Sequence, residues 1–455
     1  MRKRTVIFLL SLWAVILGCT KDPHFDDIGK ESGSNGGHAS VETRGTRTVT
    51  PESRRVLILY SAGYNSLMGW LRDDIEDFVS GYVPGGTRDD DVLLILSRLT
   101  KRAGDYVNPV PPVLERVYKD DRLAVVRDTL KVWDPYAPVT SASFMSEALT
   151  LIAEKFPAAG YGMIFSSHGS GWVPPQYYDK PNAVDPDYND DTGFWAPGKR
   201  KLAEEFPPIN YTWPQVKSLG QDKAAGGVAD SYSEMAMEDL KTAFPIHLDY
   251  LLVDACLMGC IEFAYEMRHI CDKIAFSQAE VLADGFQYTT VVSRLLEGPE
   301  PDLVGACQDY FNCYYNKPSL TERSATISLV DCTKLDALAD VCADLFAAHQ
   351  TELRGINPHA VQRYFRFNRH FFYDLQDILL HCNLTSEESA RLEEALASCI
   401  IYKAATPSFI VTMAYGFYIN VFSGFSMYLP ADGTPYLDNY YKENISWNRR
   451  TGLVQ

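Results

Sequence analysis

Apolar residues gather in short unbroken runs along this chain instead of alternating with polar ones. Val56–Tyr60, Val92–Leu96, Tyr161–Phe165 and Tyr250–Val253 are the clearest. Runs of strand length, bounded by Gly, Ser and Asp, predict strands covered on both faces. Leu123–Val126, Ile274–Ser277 and Ala325–Val330 are further strand candidates. Between them the spacing turns helical, over Ser66–Ser80 and over Ser143–Phe156, where Phe144, Ala148, Leu151 and Ile152 share a face. Pro157 and Gly160 stop that second helix. Helices are also predicted at Ser231–Ala243, Ile261–Ile270, Leu335–Leu353 and Ser386–Cys399, with a β-rich tail over Phe409–Leu429. Strand and helix in repeated alternation predict an α/β fold, a mostly parallel sheet flanked by helices. The main domain is expected over 54–331, with a smaller mixed helical and β domain over 332–455.

Two of these strands end in reactive side chains. Tyr161–Phe165 runs into Ser166-Ser167-His168-Gly169-Ser170-Gly171-Trp172, and Tyr250–Val253 into Asp254-Ala255-Cys256. Open α/β sheets bind ligands beyond the carboxyl ends of their strands. Neighbouring parallel strands ending in this way would bring an imidazole and a thiol together. That is the minimum apparatus of a cysteine nucleophile, Cys256, with its proton shuttle, His168. Gly169 has no side chain to keep its N–H from a developing oxyanion, and the Cys256 N–H would be the second donor. Cys260 lies one helical turn deeper and is expected to be structural. Trp172 fits a cleft wall or a core position equally. Strand alternation puts Asp254 on the side of Cys256, where a carboxylate would favour Lys or Arg before the scissile bond.

Strand–SSHGSGW and strand–DACLMG together resemble the clostripain family of cysteine peptidases, which have a caspase-like fold. Lys217–Asp222 (KSLGQD), Tyr373-Asp374-Leu375 and Gly424–Pro430 (GFSMYLP) extend the likeness from about Arg54 to the C-terminus. The resemblance implies an endopeptidase, and a pocket whose second wall comes from the strand after the Cys strand, which makes Asp284 a second substrate-binding candidate. It also implies activation by self-cleavage after a basic residue in the irregular, Pro-rich stretch Val173–Gly227, where Lys180, Lys199, Arg200 and Lys201 are the candidates. Calcium is a cofactor of some members, though the chemistry requires none. The run Asp185–Asp191 (DPDYNDD) lacks the turn Gly and distal Glu of an EF-hand, so a solvated acidic loop is expected there and no metal site is assigned.

The N-terminus changes the picture of where this enzyme works. Arg2-Lys3-Arg4, the apolar run Val6–Leu17 and small residues after it read as a signal peptide over 1–18. Leu17-Gly18-Cys19 resembles the bacterial lipoprotein box, which implies lipidation at Cys19, export, and placement at the outer membrane or cell surface. Residues 19–53, rich in Gly, Ser, Thr and Arg, read as a flexible tether. The membrane is then met only through the lipid.

A net charge of −17 excludes nucleic acid as a surface ligand and suits protein or peptide substrates carrying basic residues. Of ten cysteines none stands in a CxxC spacing, so mainly buried free thiols are expected, with one or two disulfides the alternative for an exported chain. A monomer is expected, since no coiled-coil heptads occur. Two other readings keep the fold: a catalytically silent surface-binding lipoprotein, and a cysteine peptidase of non-basic specificity.

Overall fold

The first strand shows why the unbroken apolar runs fold as buried strands. In β1 (Arg55–Gly63), Val56, Ile58 and Tyr60 pack into the core on one face of the sheet, and Leu57 and Leu59 into the core on the other. The computed structural model describes residues 53–87, 90–175, 177, 185, 219–223, 232–365, 371–411 and 416–455. Residues 1–52, which hold the signal and nearly all of the tether with Cys19, and Lys180, Lys199, Arg200 and Lys201 lie outside the described residues.

One nine-stranded sheet organises the molecule, in the order β12-β10-β9-β8-β5-β1-β2-β3-β4. Its five central strands are parallel: β9 (Cys271–Phe276), β8 (Leu248–Asp254), β5 (Gly160–Ser166), β1 and β2 (Val92–Leu99). Both margins turn antiparallel, with β3 (Val113–Lys119) and β4 (Val125–Val132) on one side, and β10 (Thr326–Asp331) and β12 (Ile400–Ala405) on the other. Three short pairs stand apart: β6 (Leu219–Lys223) with β7 (Tyr232–Met235), β11 (Tyr373–Asp374) with β15 (Ser426–Met427), and β13 (Ser408–Phe409) with β14 (Phe417–Tyr418).

Helices cover both faces. The helix α1 (Met68–Ser80) and the short α4 (Tyr288–Val292) pack on the face lined by Leu57 and Leu59. The helices α2 (Ala142–Lys155) and α3 (Ile261–Met267) pack on the opposite face. The start of α2 is fixed by Ser141, whose side chain accepts from the Phe144 N–H. Burial is so complete that truncating Leu57 or Ile58 to Ala would cost about 2–5 kcal/mol.

Departures from the sequence reading fall at the margins. Of the strand expected at Leu123–Val126, Leu123 and Ala124 lie in the turn of the β3–β4 hairpin, with Leu123 at φ +62° and 77% exposed, while Val125 and Val126 open β4. This hairpin lies at the sheet edge, where cross-strand pairing holds polar residues without an apolar run. The helix expected at Ser231–Ala243 begins instead as β7, and only Met237–Ala243 is helical. The helix predicted over Leu335–Leu353 breaks at His349 into Leu335–Ala348 and Gln350–Gly355. Beyond Asp331 the chain returns to the main sheet through β12 and shares its core. The helix Ser386–Cys399 is present as predicted, opened by a Thr385–Glu388 capping box. Helices at Pro435–Asn444 and Ser446–Thr451 close the chain, burying Trp447 completely.

Candidate active site

Strand pairing brings the two reactive loops together. β5 and β8 are parallel neighbours, and their last paired residues are Ser166 and Asp254. His168 and Cys256 each lie two residues beyond that pair.

The His loop is fastened from beneath. Ser167 Oγ donates to the Ala62 carbonyl at 2.7 Å and accepts from the Gln221 N–H at 3.2 Å. The Gly220 N–H donates to the His168 carbonyl at 2.9 Å. Asn65 donates to both Ala62 and Gln221 carbonyls at 2.8 Å, tying β1 to β6. Asp222, at the far end of β6, is ion-paired to Arg98 and accepts from the Val139 N–H at 2.7 Å. Burial pushes the Asp222 carboxyl up to about 6 in spite of that pairing. His168 itself is 9% exposed, with its Nε2 3.0 Å from Ser66 Oγ.

The Cys loop is a tight turn. Leu257 sits at φ +62°, and its N–H donates to the Ala279 carbonyl at 3.0 Å. The Gly259 N–H donates to the Ser277 carbonyl at 2.7 Å, and a Cβ on Gly259 would lie 2.6 Å from the Gln278 nitrogen. The two loops meet equally closely, because a Cβ on Gly169 would lie 2.7 Å from the Cys256 carbonyl oxygen. Cys256 is half-buried, and its Sγ accepts from the Val281 N–H at 3.4 Å. Cys260 is fully buried, which pushes its thiol well above the ordinary range and leaves it unsuited to attack.

His168, Asp254 and Cys256 line one cavity of ≈ 250 Å³. Asp254 is buried beside the thiol; Tyr288 donates to its Oδ2 at 2.6 Å and Ser166 Oγ at 3.4 Å. Gly285, at φ +55°, makes room, since a Cβ there would lie 2.5 Å from that same oxygen. Burial raises the Asp254 carboxyl above the ordinary range, with the Tyr288 hydroxyl pulling it down.

The structure does not bring Asp284 into this lining. Lys317 Nζ donates to Asp284 at 2.6 Å, and the carboxylate is 45% exposed. Gly285, the next residue, faces the cavity instead. Among the acidic side chains that sequence reasoning missed is Asp74 of α1, which is 9% exposed and lines the cavity with Asp254 and Glu280. Its signal was legible: Leu71, Asp74 and Phe78 fall on the buried stripe of α1, where a carboxylate has no packing role.

Other expected roles resolve by burial. Trp172 is a core residue, 4.6 Å from the Tyr428 ring and 5.1 Å from the Tyr441 ring between centroids. Asp185, assigned to a solvated loop, is fully buried; the Tyr177 hydroxyl donates to it at 2.7 Å and the Thr434 hydroxyl at 2.5 Å. Nine cysteines lie among the described residues and all are free thiols. Among the described residues no group of three or more His, Cys, Asp or Glu is arranged to hold a metal, and no helix is long and apolar enough to cross a membrane.

A thiol and an imidazole above the parallel strands of a helix-flanked sheet define a caspase-like cysteine hydrolase. The chain belongs to the clostripain family of cysteine peptidases, whose description matches residues 207–450, the part that carries Cys256. Its fold is similar to an inactive zymogen C11 protease from Parabacteroides distasonis, at 25% identity and TM-score 0.66, over 89% of this chain and 99% of that one. It is also similar to a secreted C11 cysteine protease from Bacteroides thetaiotaomicron in complex with an irreversible peptide inhibitor, at 22% identity and TM-score 0.66, over 88% and 99%. No curated protein matches the chain.

Proposed function

We propose that this peptidase is an exported, lipid-anchored endopeptidase that cleaves after Arg or Lys through a Cys256–His168 dyad. The observation that carries this reading is the register of β5 and β8, which brings both groups to one cavity whose remaining charged lining is acidic. The Cys256 thiol gives its proton to His168, and the thiolate attacks the peptide carbonyl carbon. The negative charge that develops on the carbonyl oxygen is met by the N–H groups of Gly169 and Cys256. Collapse breaks the C–N bond, His168 returns the proton to the departing amine, and water then hydrolyses the thioester with His168 as base. Asp254 receives the basic side chain of the residue before the scissile bond.

The signal-like N-terminus and Cys19 support export and lipid anchoring, and a similar structure is described as secreted. Another is described as an inactive zymogen, which supports activation by cleavage after Lys180, Lys199, Arg200 or Lys201. Calcium enters as an activator to be tested by chelation, not as a participant in the chemistry.

The test is hydrolysis of a fluorogenic peptide with Arg before the leaving group, by the full chain and by its Cys256→Ala variant. Turnover lost in the variant, by about a thousandfold or more, establishes the nucleophile. Equal rates in both would remove the assignment. Binding of peptides without turnover would favour a silent lipoprotein.

A further inference from the structure

Asp74 stands out among the charged groups that the mechanism does not use. It sits in the middle of α1, between Leu71 and Phe78 on the stripe that packs against the sheet. It is 91% buried, lines the catalytic cavity with Asp254, and accepts no side-chain hydrogen bond or ion pair from the described residues. A carboxylate so placed is costly unless something cationic completes it.

The scaffolding around it is built to keep it there. The Phe78 ring, one turn along α1, meets the Tyr288 ring edge-on at 6.3 Å between centroids, and the Tyr288 hydroxyl holds Asp254. Helix, aromatic pair and carboxylate thus form one rigid wall. Trp70, one turn before Asp74 and 51% exposed, adds an apolar surface to the cavity on which the stem of a long side chain can lie.

We propose that Asp74 is a specificity-determining residue, which with Asp254 forms a two-carboxylate clamp for the cationic head of the substrate's P1 side chain. This rests on the basic specificity proposed above and adds to it. A guanidinium presents five donors and can engage two carboxylates at once, whereas one carboxylate leaves part of the head unmatched. With the clamp empty, two carboxylates in one buried site hold a proton, and the cation displaces it on binding.

Other titratable groups surround the clamp: Asp73 and Asp77 on α1, Glu280 and Asp284 in the segment after β9, Tyr288 on α4, and His168 and Cys256 at the reacting end. Their effects on the chemical step are common to two substrates that differ only in P1 charge, and their attraction for the P1 cation is common to wild type and an Asp74 variant. The neutral isostere of arginine is citrulline.

The decisive experiment measures kcat and KM for matched P1-Arg and P1-citrulline fluorogenic peptides with the full chain and its Asp74→Asn variant. The expected result is an Arg-to-citrulline ratio of kcat/KM lowered about tenfold or more in the variant, carried mainly by KM for Arg. A ratio equal to wild type overturns the role of Asp74 while leaving basic specificity intact. Wild-type enzyme that prefers citrulline, or that turns over neither peptide even after limited tryptic nicking, removes both. Should Asp74→Asn fail to fold, the smaller Asp74→Ser decides: an Arg-to-citrulline ratio lowered about tenfold or more is expected, and a ratio equal to wild type overturns the clamp.

Discussion

Ser66 Oγ lies 3.0 Å from Nε2 of His168, so a hydroxyl from the segment leading into α1 holds the imidazole of a loop about a hundred residues later. This bond orients the ring at the end of β5. Ser66→Ala is expected to lower kcat about three- to tenfold with little change in KM, the worth of roughly one hydrogen bond. Single-turnover kinetics would check it, and an unchanged rate would mean that the fastened loop alone orients His168.

Gly169 packs against the Cys256 carbonyl, and a methyl group there meets backbone that cannot swing away. Gly169→Ala is expected to cut kcat by about a hundredfold or more, by separating the loops and moving an oxyanion donor. Its melting temperature should fall by only a few degrees. Activity near wild type would show that the loops tolerate displacement.

The Arg98–Asp222 pair is buried beneath the His loop, each side chain 1% exposed. Asp222→Ala strands the Arg98 charge among the carbonyls of Val110, Pro135 and Ala137. Destabilisation of about 3–5 kcal/mol is expected by urea unfolding. A loss below about 1 kcal/mol would mean that those three carbonyls suffice.

Glu262, fully buried in α3, accepts from the Tyr428 N–H at 2.8 Å and the Tyr441 hydroxyl at 2.7 Å. Its other oxygen has no hydrogen-bond partner among the described residues, and burial pushes its carboxyl up to about 7. The folded chain therefore keeps this proton at pH values where the unfolded chain has lost it. The stability it contributes is complete below about pH 4.5 and drains away as pH rises through about 7. Wild type should lose on the order of 3 kcal/mol more than Glu262→Gln between pH 4.5 and pH 8, by parallel urea titrations. Identical slopes would refute the assignment.

Asp284 faces Lys317 at the surface, and exposed pairs of this kind are worth about 0–1 kcal/mol. Asp284→Asn should shift the Arg-to-citrulline ratio far less than Asp254→Asn does. An equal shift would return Asp284 to the pocket.

How much of this was legible depended on where burial dictates sequence. The five parallel strands are covered on both faces, so Val56–Tyr60 and Tyr250–Val253 had to be continuous apolar runs, and strand order put His168 beside Cys256. The hairpin of β3 and β4 was hidden because pairing, not a core, holds it. Asp254 could be seen from its distance to Cys256, yet the strand ends at Asp254, and the turn through Leu257 rather than alternation aims the thiol. Asp74 required knowing that α1 lies over the same cavity. The stripe of Leu71, Asp74 and Phe78 marks a buried carboxylate, but the cavity it shares with Asp254 joins residues some 180 positions apart along the chain.

The order of the sheet carries one more consequence. β5 and β8 lie side by side, gripped by their own ladder and by β1 and β9 on either flank, while some eighty residues of chain separate them. Of the chain between them, β6 fastens the His168 loop. Imidazole and thiol belong to two pieces that the sheet solders together, so the intact polypeptide is one molecule by synthesis and two by architecture. Severing the backbone between them is expected to leave two pieces held together by that ladder, which co-elution after a single cut would check.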